Sequence, residues 1–229
     1  MKLNSQGLDV AHMQTQLRWL GYHLTPDGYY GRYTEKVVKT FQTHQGLTSD
    51  GWAGKQTQSQ INKLAKDAWL YLFVHCTATP EGKHYDGAWI KWLHMEKKGW
   101  SRPGYSDCIW LDGTLENLRP FDTDDLIGEW EYTFGVKGST MMNRNARHVV
   151  YVGGVEKDGR TPKDTRTAEQ KKTLELYLKF MLLRNPRVTM VGHNYVQRKA
   201  CPCFDMPSYC KSIGIEAKNI SQWSKKYAI

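Results

Sequence analysis

The chain has 229 residues, 40% of them hydrophobic and 24% charged, with a formal net charge of +9, a composition ordinary for a globular protein with a real core. No run approaches the ~18 to 20 apolar residues of a membrane-spanning helix, and the start, MKLNSQGLDVAHMQ, lacks the basic-then-apolar pattern of a secretory signal, so the expectation is a product made in the cytosol with no Sec route out. The lysines and arginines are scattered rather than gathered in a tail, which suits an anionic partner, nucleic acid or cell surface, and five cysteines without a secretion signal argue against a disulfide framework.

In chain order, Val10, Met13, Leu17 and Leu20 recur at helical spacing and stop at Gly21. An internal echo follows: TPDGYYGRYT at Thr25 to Thr34 recurs as TSDGWAGKQT at Thr48 to Thr57, sharing the frame T-x-D-G-x-x-G-x-x-T. Asp-Gly supplies a tight turn, and the closing Thr34 and Thr57 read as helix N-caps. The helices they open carry Val37, Val38 and Phe41 in the first case and Ile61 and Leu64 in the second. Three short helices make a small all-α bundle, and Tyr29, Tyr30, Trp52 and Arg32 near its loops are candidates for stacking on sugars or pairing with carboxylates.

After Lys66 the pattern switches to WLYLFVH, Trp69 to His75, an apolar and β-branched run expected of a buried strand. This places a boundary between residues 1–66 and 67–229 with almost no linker. Ala88 to Lys98 reads as a helix ending at Gly99; Cys108 to Leu111 and Thr114 to Leu118 read as a hairpin turning at Asp112-Gly113; His148 to Val152 reads as a buried strand. Thr167 and Gln170 have capping-box spacing ahead of a Leu174, Leu178, Met181 stripe that stops at Asn185-Pro186, and Arg187 to Val191 is a strand delivering His193. The fold class expected is an α/β domain with a central mixed sheet flanked by helices, preceded by the three-helix domain.

Two histidines thus stand at strand ends, His75 and His193, and the stretch HNYVQRKACPCFD adds Cys201 and Cys203. Zinc takes neutral imidazole and thiolate, and a catalytic zinc typically has three protein ligands and an open fourth position. His75, His193 and one of the two cysteines meet that count; both cysteines together would make a closed, structural site. Pro202 biases Cys201 toward an extended conformation, so local physics does not choose between the thiols. Alternation along a strand sends His75 and Cys76 to opposite faces, leaving Cys76 packed beneath, with Cys108 and Cys210 as core thiols.

Residues GLDVAHMQTQLRWLGY together with the repeat resemble the peptidoglycan-binding domain of cell-wall hydrolases. VHCTAT, KGWSRPGYSDCIWLDGT, NARHVVYVGG, DTRTAEQ, VGHN and KACPCFD, in that order, resemble the zinc-dependent N-acetylmuramoyl-L-alanine amidases of type 2, the group that includes amidase-type phage lysozymes and peptidoglycan recognition proteins. The resemblance runs from about Tyr71 to Asp205 and implies cleavage of the amide between N-acetylmuramic acid and L-alanine. It implies His75, His193 and Cys201 as ligands of Zn2+, Tyr105 and Lys199 as catalytic residues, and Cys203 as a packed thiol. The chain departs from the family at Ser106, where relatives often carry a histidine after Gly-Tyr, and lacks a histidine-bearing loop between Arg119 and Asn143. Together these features suggest a monomeric phage endolysin that waits in the host cytoplasm and then acts on the wall, with peptidoglycan and not nucleic acid as partner. A non-catalytic recognition protein or a bacterial or prophage amidase are the alternatives.

Overall fold

Each copy of the repeat closes around a buried glutamine. The computed structural model describes residues 1–124, 126–223 and 225. It places helix α1 at Leu8–Trp19, α2 at Arg32–His44 and α3 at Lys55–Leu64. From α1, the Gln14 amide accepts from Gly28 N–H and its nitrogen lies 3.0 Å from Asp27, the Tyr29 carbonyl and the Thr34 hydroxyl. From α2, Gln42 does the same for Gly51, Asp50, Trp52 and Thr57. Thr34 and Thr57 are therefore not N-caps as the sequence suggests: Gly31 and Gly54 cap the helices, and the two threonines sit buried in the first turn, serving the glutamines.

Val10, Met13, Leu17, Val37, Val38, Phe41 and Ile61 form the bundle core, while Leu64, expected on the same face, is exposed. Tyr30 is fully buried and donates to the Gly51 carbonyl at 2.7 Å, stapling one loop to the other, which removes it as a sugar platform. Tyr29 and Trp52, at equivalent places in the two loops, remain exposed. Gln42→Ala leaves the Gly51 amide and the Thr57 hydroxyl buried without their partner. We expect it to destabilise the chain by about 2 to 3 kcal/mol in denaturant unfolding; a loss below about 0.5 kcal/mol would show that water replaces the amide there.

The second part is built on strand β1 (Tyr71–Cys76), followed by β2 (Thr79–Pro80), helix α4 (Gly87–Lys91) continued by a π turn at Trp92–Lys97, β3 (Asp107–Ile109), β4 (Leu115–Asn117), α5 (Thr140–Arg144), β5 (Ala146–Tyr151), β6 (Gly154–Val155), α6 (Ala168–Arg184), β7 (Thr189–Gly192) and α7 (Met206–Ser212). The main sheet has the order β4-β3-β5-β1-β7, parallel except for the antiparallel β3–β4 hairpin; β2 and β6 make a small parallel pair. The expected elements are present with shifted ends, and α5, β2 and β6 had no signal strong enough to mark them.

Both faces of β1 are covered, which is why its sequence is continuously apolar. Leu72, Val74 and Cys76 face α6, whose Leu174, Leu178 and Met181 stripe follows the capping box of Thr167 and Gln170. Tyr71 and Phe73 face the other way and share a core with Ala11 of α1 and Trp223. Helix α1 is thus part of both cores: His12 Nδ1 lies 2.8 Å from the Tyr71 hydroxyl, Arg18 donates to the Lys218 and Arg187 carbonyls, and Arg187 donates to the Trp19 carbonyl. No tether separates the bundle from the sheet.

Candidate functional site

Parallel pairing sets the carboxyl ends of β1 and β7 side by side, with Val74 in register with Gly192. The next residue of each strand is a histidine, so His75 and His193 meet at the crevice that parallel sheets open beyond their strand ends. His75 Nδ1 lies 3.1 Å from His193 Nδ1, and Cys201 Sγ lies 3.8 Å from His75 Nδ1. The three ligand atoms are all within 4.8 Å of one another.

Cys201 reaches this point on a closely held loop. Asn194 N–H donates to the Cys201 carbonyl and the Tyr151 hydroxyl to the Pro202 carbonyl, each at 2.7 Å. Gly192 lets the loop approach, since a Cβ there would lie 3.2 Å from Pro202 Cδ and from Met206 Cβ. The Cys201–Pro202 peptide is cis, and Cys203 has a φ of 68°. Cys203 Sγ turns to Cys76 Sγ at 3.6 Å, and that contact, with burial, holds the Cys203 thiol well above its ordinary value. Cys108 and Cys210 are buried in the core.

The donor set suits a soft divalent ion. Burial lowers His193 to about 4, and burial together with the neighbouring imidazoles holds His75 well below its ordinary value, so both rings are neutral and keep a lone pair. Two lone pairs facing each other at this distance, with a sulfur beside them, repel unless a proton or a cation lies between; two nitrogens and one sulfur form a set that zinc accepts. Gln197 orients His193: its Oε1 lies 2.7 Å from His193 Nε2, while its Nε2 donates to the Lys137 carbonyl at 2.9 Å. The His193 proton is thereby on Nε2 and the bare Nδ1 faces the triad. A glutamine four residues after the histidine was a signal open to sequence reading, and it was missed.

Beside the triad lies a cleft of about 380 Å³ lined by Tyr105 and Lys199, with Trp100, Phe134, Lys98 and Lys137. Tyr105 has its ring centroid 5.1 Å from that of His75, and burial, with the nearby Cys201 sulfur, keeps its phenol protonated as a hydrogen-bond donor. Lys199 is exposed at the mouth beside His193. Among the described residues the cleft lining contains three lysines and no carboxylate, so it favours negative charge. His94, unassigned from sequence, stacks on Trp100 and accepts from Gly104 N–H at 3.0 Å, fixing the backbone just ahead of Tyr105. Ser106 is buried; it bonds across the ladder to His148 and contributes no side chain to the cleft. A larger groove of about 870 Å³ runs between the bundle and the Arg187 and Lys218 region, with Tyr29 and Tyr33 on its wall, and it contains none of the triad.

Residues 6–61 match the family model of the peptidoglycan binding domain. The chain is 32% identical over 141 residues to the endolysin of Enterobacteria phage K11, an alignment spanning 62% of this chain and 85% of the relative. It is 31% identical over 137 residues to the endolysin of Escherichia phage T7, spanning 59% of this chain and 81% of the relative. Among solved structures, the Ph2119 endolysin from a Thermus scotoductus bacteriophage aligns with a TM-score of 0.48 at 19% identity, covering 64% of this chain and 84% of that one.

Proposed function

The chain belongs to the phage endolysin family, and from that premise we propose that it is a zinc-dependent N-acetylmuramoyl-L-alanine amidase, cleaving the bond between the glycan and the first residue of the stem peptide. An endolysin of this family acts on the cell wall, and the N-terminal peptidoglycan-binding domain names the polymer. The single observation that carries the amidase reading is the convergence of His75 Nδ1, His193 Nδ1 and Cys201 Sγ beside a cleft that also holds Tyr105 and Lys199.

His75, His193 and Cys201 would hold the zinc. When bound, it supplies a Lewis acid and an activated water, the two requirements for attack on an unreactive amide. The chain's own groups do the rest. The Tyr105 hydroxyl, kept protonated by its surroundings, donates to the nucleophilic water or to the amide oxygen. The Lys199 ammonium stabilises the negative charge that develops on that oxygen, a contribution that grows toward the transition state. Trp100 and Phe134 wall the cleft and limit water. The presence of Cys201 favours a hydrolase over a recognition protein that has lost its metal. We read residues 1–66 as the wall-binding unit and 67–229 as the catalytic one, although the shared core at α1 joins them. Holding the enzyme on an insoluble polymer raises the local concentration of cleavable bonds. A monomer that accumulates in the host cytoplasm and meets the wall when the membrane opens fits this reading.

The test is digestion of purified peptidoglycan. We expect new free amino ends of L-alanine, lost on chelation and restored by zinc. Release of reducing sugar ends would make the enzyme a glycosidase and end the amidase reading.

A further inference from the structure

We infer that His148 positions His75 for metal binding, by accepting the His75 Nε2 proton and so turning the bare Nδ1 toward His193 and Cys201; this rests on the metal reading of that triad. His148 lies in the interior of β5, fully buried, with its ring stacked on Phe73 at a centroid distance of 5.1 Å and an interplanar angle of 7°. An imidazole is a poor choice for packing in such a place, because a buried ring nitrogen without a partner costs on the order of 1 to 3 kcal/mol and a hydrocarbon side chain would not incur it. Among the described residues the ring has one side-chain hydrogen-bond contact: His148 Nδ1 lies 3.0 Å from His75 Nε2. Its other nitrogen, Nε2, is buried with no partner among the described residues.

The positions of the protons follow from these contacts. Two nitrogens at that separation share one hydrogen. His75 must leave Nδ1 bare to serve as a ligand, so its hydrogen is on Nε2 and points at His148 Nδ1. The His148 hydrogen is then on its own Nε2, the atom without a partner. The fold tolerates one orphaned N–H and thereby keeps an acceptor behind the ligand.

The surroundings hold this ring in place. A Cβ on Gly135 would land on the His148 imidazole, so only glycine leaves the space it occupies. Just ahead of β3, Ser106 Oγ accepts from His148 N–H at 3.1 Å and Ser106 N–H donates to the His148 carbonyl at 2.7 Å. His148 thus does for His75 what Gln197 does for His193, and both ligands present Nδ1 to the same point. Outer partners of this kind fix tautomer and ring orientation.

The test compares the full-length wild-type chain with His148→Leu and His148→Gln. Zinc affinity is read by chelator competition, the cobalt-substituted absorption spectrum is recorded, and the metal-free chain is melted. Leucine fills the space without an acceptor, so zinc affinity is expected to fall roughly 10- to 100-fold while the metal-free melting temperature holds or rises. Glutamine offers Oε1 as acceptor and is expected to recover most of the affinity with a wild-type-like cobalt spectrum. Unchanged zinc affinity in the leucine variant overturns the inference, and so does a loss that glutamine fails to recover. If the leucine variant does not fold, two-bond proton–nitrogen spectra of the zinc-loaded wild type decide the matter: protons on Nε2 of both His75 and His148 are expected, and a His75 proton on Nδ1 overturns it. A wild-type chain that takes up no zinc overturns the metal reading itself, an outcome distinct from a loaded chain indifferent to residue 148.

Discussion

Cys201→Ala is expected to strip the chain of zinc and to lower amide hydrolysis of peptidoglycan by roughly a thousandfold or more, while Cys203→Ala keeps the metal and most of the activity. The factor corresponds to about 4 kcal/mol of transition-state stabilisation, within what a Lewis acid and its activated water contribute to an amide. The two cysteines are separated by one residue, yet their environments differ. Cys201 Sγ stands by His75 and accepts the Cys76 amide at 3.3 Å, while Cys203 Sγ faces the Cys76 thiol. Cys76 belongs to the α6 face of β1 and His75 to the opposite face, so Cys203 is directed away from the triad. A three-ligand site that leaves one position for water is the catalytic kind; a four-ligand site including Cys203 would be closed. Metal content after gel filtration and the rate of amino-end release measure the two effects. Equal metal loss in both variants would mean that Cys203 is a ligand after all.

What could be read from sequence tracks how local its cause is. The buried run Trp69 to His75, the capping box at Thr167 and the stop at Asn185-Pro186 depend on neighbouring residues, and each corresponds to an observed element. Strand alternation was enough to send Cys76 to the face opposite His75. The choice between Cys201 and Cys203 was not local: it depends on a left-handed Cys203 and on Cys76, more than a hundred residues earlier in the chain. Resemblance chose Cys201 where periodicity left the pair open. The threonines of the repeat were misread because a threonine after a Gly-rich turn has the look of an N-cap, whereas their partners are glutamines on preceding helices, 20 residues away for Thr34 and 15 for Thr57. His148 was equally hidden. A histidine opening an apolar strand looks like packing until the neighbouring strand supplies His75, and its role depends on a contact spanning 73 residues.

Asp107→Ala is expected to cost about 3 to 5 kcal/mol of stability, because it strands a buried guanidinium. Arg147, on β5, has a fully buried side chain and donates to Asp107 Oδ2 on β3 at 2.8 Å. The same carboxylate accepts from the Tyr177 hydroxyl of α6 at 2.6 Å and, through Oδ1, from Asn117 of β4 at 2.9 Å. Arg147 also donates to the Pro120 carbonyl at 3.0 Å and lies over the Phe121 ring. One carboxylate thus joins three strands and a helix. Removing it leaves a cation buried from solvent, where attraction no longer offsets the desolvation. For a chain of this length the melting temperature should fall by roughly 6 to 20 °C. The matching double variant, Asp107→Leu with Arg147→Met, removes both charges and is expected to recover much of the loss, since a hydrophobic pair of similar volume often replaces a buried ion pair at little cost. The network has a functional consequence as well: β3 begins two residues after Tyr105, and β5 carries His148 directly after Arg147. Loosening the pair should therefore weaken zinc binding even below the melting temperature. A single variant that loses less than about 1 kcal/mol, or a double variant no more stable than the single, would show that the carboxylate does not carry this junction.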